Sequence, residues 1–217
     1  GENGTFVFDA KTGKLEDILK GKKSILAAPL ELSVWRSYID NDGVPPGTLG
    51  IPGMRTWWME WDLPNAKLET LEAKWKHDAG LLEVYSHQRI KAANNAVIEH
   101  HQVILADGTG LEFHHDVIIP AQLDDLQRLG MKFALEPGFE KLEWFGRGLV
   151  DTYSDRKGAP VAVHTSSVAE QYVPYLRPQD HGHHADARWF ELKSKNSSRK
   201  IAALEPSTIS FSARHHS

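Results

Sequence analysis

The feature that most constrains this chain is a period-two alternation of apolar and polar residues, cut by turn chemistry at short intervals along its whole length. Such alternation sends successive side chains to opposite faces of an extended strand. The stretch "LLEVYSHQRI" alternates in this way, and "AVIEHHQVILADGTGLEFHHDVIIP" predicts a hairpin turning at Asp107-Gly108. At the start, "GTFVFDAKTGKLEDILKGKKSIL" predicts a meander with turns at Thr12-Gly13 and Lys20-Gly21. "APLELSVWRSYIDNDGVPPGTLGIPG" begins as a strand and enters a loop in which Pro45, Pro46, Gly47, Gly50, Pro52 and Gly53 forbid regular structure. From Trp57 the pattern fits either a short helix or a strand. "RLGMKFALEPGFEKLEWFGRG" predicts two strands around Pro137-Gly138. "RWFELKSKNSSRKIAALEPSTISFSARHHS" predicts strand, turn at Asn196-Ser197-Ser198, strand, turn, strand. Turn signals every 8 to 12 residues or so predict an all-β sandwich. No repeat or low-complexity tract marks an internal boundary, so residues 1–217 read as one domain.

Charge narrows the partners. Lys and Arg number 25 against 29 Asp and Glu, a formal net charge of −4 that offers no basic excess for nucleic acid or an anionic membrane. No apolar run is long enough to span a bilayer as a helix. The chain has no cysteine, which excludes disulfides, a thiol nucleophile and thiolate metal sites, and fits a reducing compartment. It opens on Gly1-Glu2-Asn3-Gly4 and closes on a strand pattern, so a piece of a longer protein is expected.

Residues 142–156, "LEWFGRGLVDTYSDR", hold the densest mixture of aromatic, acidic and basic side chains. Glu143, Asp151, Asp155, Glu170 and Asp180 fall in or near this region. Glycoside hydrolysis needs two carboxyl groups ~5 to 9.5 Å apart. The alternative, which the residue types favour, is that these acids pair with Arg147, Arg156, Arg177 and Arg188 as fixed-geometry bonds at a corner. Among twelve histidines, His181, His183 and His184 form "HGHH", and His100-His101 and His114-His115 are doublets. A zinc site also needs a supporting shell, and a loop beside Gly182 reads more simply as solvated, so no metal is assigned. Of seven tryptophans, Trp35, Trp144 and Trp189 lie in apolar strand contexts and read as core. Trp57, Trp58 and Trp61 flank the Gly/Pro-rich loop and are candidates for a sugar or interdomain contact, with local packing as the alternative. There is no phosphate-binding loop and no G-x-S-x-G elbow.

The same dense stretch, "LEWFGRG…Y.DR", followed by "EQYVPYLRPQDHGHHADARWFEL", resembles the C-terminal, small-chain domain of family-2 glycoside hydrolase β-galactosidases. "FDAKTGKLEDI" resembles that domain's opening strand pair, "WRSYIDNDG" its W-R-x-x-x-D-N-D segment, and "SFSARHHS" its F-S-x-x-H-[YF] strand. These anchors run in the family's order from about residue 6 to 217. The resemblance implies an antiparallel β-supersandwich of the galactose-mutarotase-like type. It also implies that the catalytic glutamates and their magnesium lie on a separate upstream TIM-barrel domain, that this chain carries no cofactor, and that the parent is a cytoplasmic homo-oligomer acting on galactosides. The family pattern G-R-G-P-x-E-N-Y-x-D-R departs here at Leu149, Asp151 and Thr152 and is kept at Tyr153, Asp155 and Arg156, which predicts a corner held less tightly.

The residues of that expected structural corner are Trp144, Gly146, Arg147, Gly148, Tyr153, Asp155, Arg156 and Arg188: a strand, a bend at Gly-Arg-Gly, and an Asp/Arg-stitched loop. The function this implies is a non-catalytic domain that closes the active-site pocket of the barrel and is inactive alone. Two alternatives are a sugar-binding module built on the Trp57–Trp61 group, and an aldose mutarotase using His164 or His183 beside a carboxylate.

Overall fold

The computed structural model describes residues 4–43, 53–123, 125–176, 179–197 and 199–215. Arg177, the prolines and glycines between 44 and 52, and Ser198 lie outside the described residues. Thirteen strands are found among the described residues: β1 Thr5–Phe8, β2 Leu15–Lys20, β3 Lys23–Ser24, β4 Leu26–Ser33, β5 Lys67–Asp78, β6 Leu81–Lys91, β7 Val97–Ala106, β8 Leu111–Ile118, β9 Gly130–Leu135, β10 Phe139–Arg147, β11 Val161–Ser167, β12 His183–Ser194 and β13 Lys200–Ser212. The single α-helix among them, α1, spans Met54–Glu60. Every strand pairing is antiparallel, so the fold is of the all-β sandwich class.

The chain divides into two compact units, residues 1–36 with 40–136, and residues 37–39 with 137–217. The first unit holds a β1-β2-β3 meander, a β4-β9 pair and a four-stranded β5-β6-β7-β8 sheet. In β6 and β7 the alternation is complete. Val84, Ser86, Gln88 and Ile90 are buried, and they lie opposite Ile104, Gln102, His100 and Ile98, which are also buried. The middle of this face is therefore polar. His100 bonds the Gln88 amide oxygen at 3.0 Å through one ring nitrogen and meets His115 at 3.0 Å through the other.

Burial pushes the His100 imidazole down to about 4, with the neighbouring His115 and His101 adding repulsion to its charged form. In the second unit burial also drives His184 down to about 4, opposed by the Asp151 carboxylate. Both histidines have folded values below the unfolded value near 6.5, so their stabilising effect is full above that value and is lost as pH falls from 6.5 towards 4. By this linkage each should cost about 2 kcal/mol of stability at pH 5 relative to pH 8. Urea midpoints measured across that window check this, and His100→Gln should flatten the dependence.

The second unit is one sheet in the order β11-β10-β12-β13. Its buried face carries Leu142, Trp144, Phe190 and Leu192, packed with His184 and Phe211. Two expectations are corrected here. β13 runs unbroken past Pro206, where a turn was expected. It is an edge strand, and the register to β12 slips between Ala187↔Ile209 and Trp189↔Leu204, so the missing proline N–H costs no regular ladder bond. Trp189, expected in the core, pairs with Phe145 on the face opposite Trp144 and is only half-buried.

Candidate functional site

The dense stretch folds as the end of a strand and the loop after it. β10 continues through Gly146 and Arg147, so there is no bend at Gly-Arg-Gly. Neither Gly146 nor Gly148 has a positive φ. Their role is close approach. A Cβ on Gly146 would lie 2.9 Å from the Ala187 Cα in β12, and one on Gly148 would lie 2.8 Å from the Ala159 Cβ. Gly146→Ala should therefore cost about 1–3 kcal/mol, because the obstacle is backbone of a central strand. A urea midpoint unchanged from the parent would contradict this.

Arg147 donates to the backbone oxygens of Lys157 at 2.7 Å and Ala159 at 3.4 Å, and its Nε lies 3.8 Å from the Asp186 carboxylate. Lys157 holds Asp186 at 2.9 Å. Trp144 Nε1 donates to the Arg147 carbonyl at 3.1 Å, which locks the strand end against the core. Tyr153 and Arg156 close a turn through paired backbone groups, and the Tyr153 ring stacks on His183 at 5.0 Å. Asp155 and Arg156 are exposed in that turn. Arg188 reaches this corner through its charge, which adds to those of Lys157 and Arg147 in holding the Asp186 carboxyl below its ordinary value. It is exposed on β12 and donates to the Ser207 carbonyl of β13 at 2.9 Å.

Of the three positions that depart from the family pattern, Leu149 is exposed, and Asp151 and Thr152 are well bonded. The buried Asp151 accepts from the Gly182 N–H at 2.7 Å and from the Tyr175 hydroxyl at 2.9 Å. Burial, then the Asp151 bond, raises the Tyr175 phenol above its ordinary value. Thr152 donates its N–H to the His183 carbonyl and accepts the Ala185 N–H at 2.9 Å through its hydroxyl. Gly182 is needed for this exchange, since its φ of +68° lies in the left-handed region and a Cβ would lie 3.2 Å from Gln171.

Among the described residues, three of these acids bond groups not foreseen for them. Asp180, with no exposed side-chain surface, pairs with Arg214, which was not singled out in the sequence. Glu143 lies 3.6 Å from Lys193. Glu170 accepts the Ser167 N–H at 2.7 Å and the Ser166 and Ser167 hydroxyls. In the other unit, Arg36 grips Asp42 through two bonds of 2.6 and 2.9 Å, a buried fork inside the "WRSYIDND" segment. The spacing of Arg and Asp in that motif was the signal for it.

Glu143 and Glu170 do line one cleft of about 500 Å³, with Lys141, Thr165, Ser166 and Lys193. The backbone and hydroxyl donors of Ser167 hold Glu170 below the usual carboxylate range. A glycosidic general acid needs the opposite shift.

The aromatic candidates separate. Trp58 is core and donates to the Asp125 carbonyl at 2.6 Å, whereas Trp57 and Trp61 meet edge-on at 6.4 Å on α1 and its C-cap. The "HGHH" rings also diverge. His181 bonds the Gln171 carbonyl, His183 the Ser212 hydroxyl and His184 the Gln171 side chain at 2.6 Å. Among the described residues no group of three His, Asp or Glu is arranged to hold a metal ion, and no helix is long and apolar enough to cross a membrane. His164, half-buried, lies against Trp144 at 5.2 Å.

Comparison with known proteins covers the whole chain. The model of a family described as beta galactosidase small chain matches residues 1–217. A beta-galactosidase of Priestia megaterium is 28% identical over 190 residues, covering 87% of this chain and 18% of that protein. One of Actinobacillus pleuropneumoniae is 24% identical over 216 residues, covering 97% and 20% respectively. One of Vibrio cholerae is 29% identical over 210 residues, covering 88% and 19%. The chain thus spans about a fifth of the length of these curated relatives.

Proposed function

The chain belongs to the beta-galactosidase small-chain family, and from that membership we propose that it is a non-catalytic β-sandwich domain of a β-galactosidase, serving hydrolysis of terminal β-galactosides by closing one side of the active-site pocket of a catalytic barrel domain. The observation that carries this is the family match over the whole chain, set against relatives about five times longer that bear the name beta-galactosidase. The chemistry of the acids agrees. Asp151 and Asp180 are consumed in buried structural bonds, and Glu170 is held ionised rather than poised to give up a proton.

In this reading the catalytic carboxylates, and the magnesium that supports them, belong to the barrel domain. The corner from Trp144 to Arg156 shapes the wall, and Trp57 and Trp61 serve as a packing or interdomain contact. The cysteine-free sequence suits a cytoplasmic parent. The test is the purified 217-residue chain, shown folded by a cooperative urea transition and mixed with a chromogenic galactoside. No turnover is expected, and turnover that co-purifies with the chain through successive columns would end the proposal.

A further inference from the structure

Register sets out the two faces of the β11-β10-β12-β13 sheet residue by residue. One row reads His164, Trp144, Phe190, Ala203 and belongs to the core face. The adjacent row, pointing the other way, reads Val163, Phe145, Trp189, Leu204. Strand alternation on a sheet with one solvated face would make that second row polar. It is apolar in all four strands. Val163 is 58% exposed and Leu204 76% exposed, with Phe145 and Trp189 half-buried between them.

The flanks of this row are charged but already neutralised. On one side Glu191 is held by Lys193 at 2.6 Å and Lys200 at 2.8 Å. On the other, Asp186 is held by Lys157 at 2.9 Å with Arg147 close by. An apolar stripe rimmed by paired charges has the make-up of a protein interface, with a dry centre and a polar border. A sugar would need acceptors free to bond its hydroxyls, and the nearest carboxylates are taken by lysines.

The occupant follows from length. The curated relatives extend over about five times this chain, so most of a β-galactosidase is polypeptide outside it. We propose that the Val163–Phe145–Trp189–Leu204 row is the docking face for another domain of the same β-galactosidase polypeptide, one that presents a complementary apolar ridge. This rests on the reading of the chain as a domain of that enzyme and names the surface by which it is held.

Hydroxyl-radical footprinting of the full-length protein tests it without any appeal to hydrolysis. Trp189 and Leu204 are expected to be oxidised as slowly as the core Trp144, at every protein concentration. The double variant Val163→Lys, Leu204→Lys changes only exposed positions and should restore fast oxidation of Trp189. Fast oxidation of Trp189 and Leu204 in the unsubstituted protein would overturn the proposal. Protection that vanishes on dilution would overturn it too, by assigning the face to a second copy. Failure of the parent reading looks different: hydrolysis would survive removal of the whole segment, whatever the footprint.

Discussion

Replacing Trp144 with alanine is expected to remove about 3–5 kcal/mol of stability, a large part of what a domain of this size holds. The indole has no exposed surface. It lies 4.4 Å from the His184 ring and 5.2 Å from His164, and meets Phe211 edge-on at 6.2 Å. Truncation opens a cavity at the centre of a four-stranded sheet whose backbone is fixed on both sides by β11 and β12, so collapse is limited. It also takes the only N–H that Trp144 gave to the Arg147 carbonyl. Trp144→Phe should recover part of the loss through its ring and none of that hydrogen bond. Urea unfolding of the three proteins checks the order, and an alanine variant within about 1 kcal/mol of the parent would contradict the packing described here.

A comparable loss, about 3–5 kcal/mol, is expected for Arg214→Leu. Asp180 is fully buried and Arg214 is 18% exposed, so the pair is shielded from solvent. Removing the guanidinium takes from a buried carboxylate the counter-charge that Arg214 supplies, and that penalty exceeds what the intact pair contributes. The backbone of Asp180 is meanwhile tied to the Tyr38 carbonyl at 2.8 Å, so the side chain has no easy route to water. The double variant Arg214→Leu, Asp180→Asn should therefore be more stable than Arg214→Leu alone. If the two changes add simply, the ion pair is not carrying the effect.

How much of this was legible depended on whether the cause was local. β6 and β7 were legible because alternation is a property of neighbouring residues, and the Asp107-Gly108 turn because its chemistry is local too. What lay in distant partners was not. β9 and β10 flank Pro137-Gly138 yet pair elsewhere, β9 with β4 and β10 with β11 and β12. Gly146 read as a bend because glycine often marks one, whereas its reason is Ala187 on another strand. "RWFEL" is apolar at two adjacent positions, and nothing local says that Phe190 faces the core and Trp189 the outside. The acids were recognised as important, but Asp180 waits for Arg214 near the end of the described chain, and Asp151 for Tyr175 and Gly182.

One measurement bears most directly on the central claim that this chain serves a β-galactosidase without performing its chemistry. Galactoside hydrolysis would be compared between the full-length parent protein and the same protein lacking this segment, with the isolated segment added back. Hydrolysis should collapse on removal and return, at least in part, when the segment is restored. Full turnover without the segment would contradict the account.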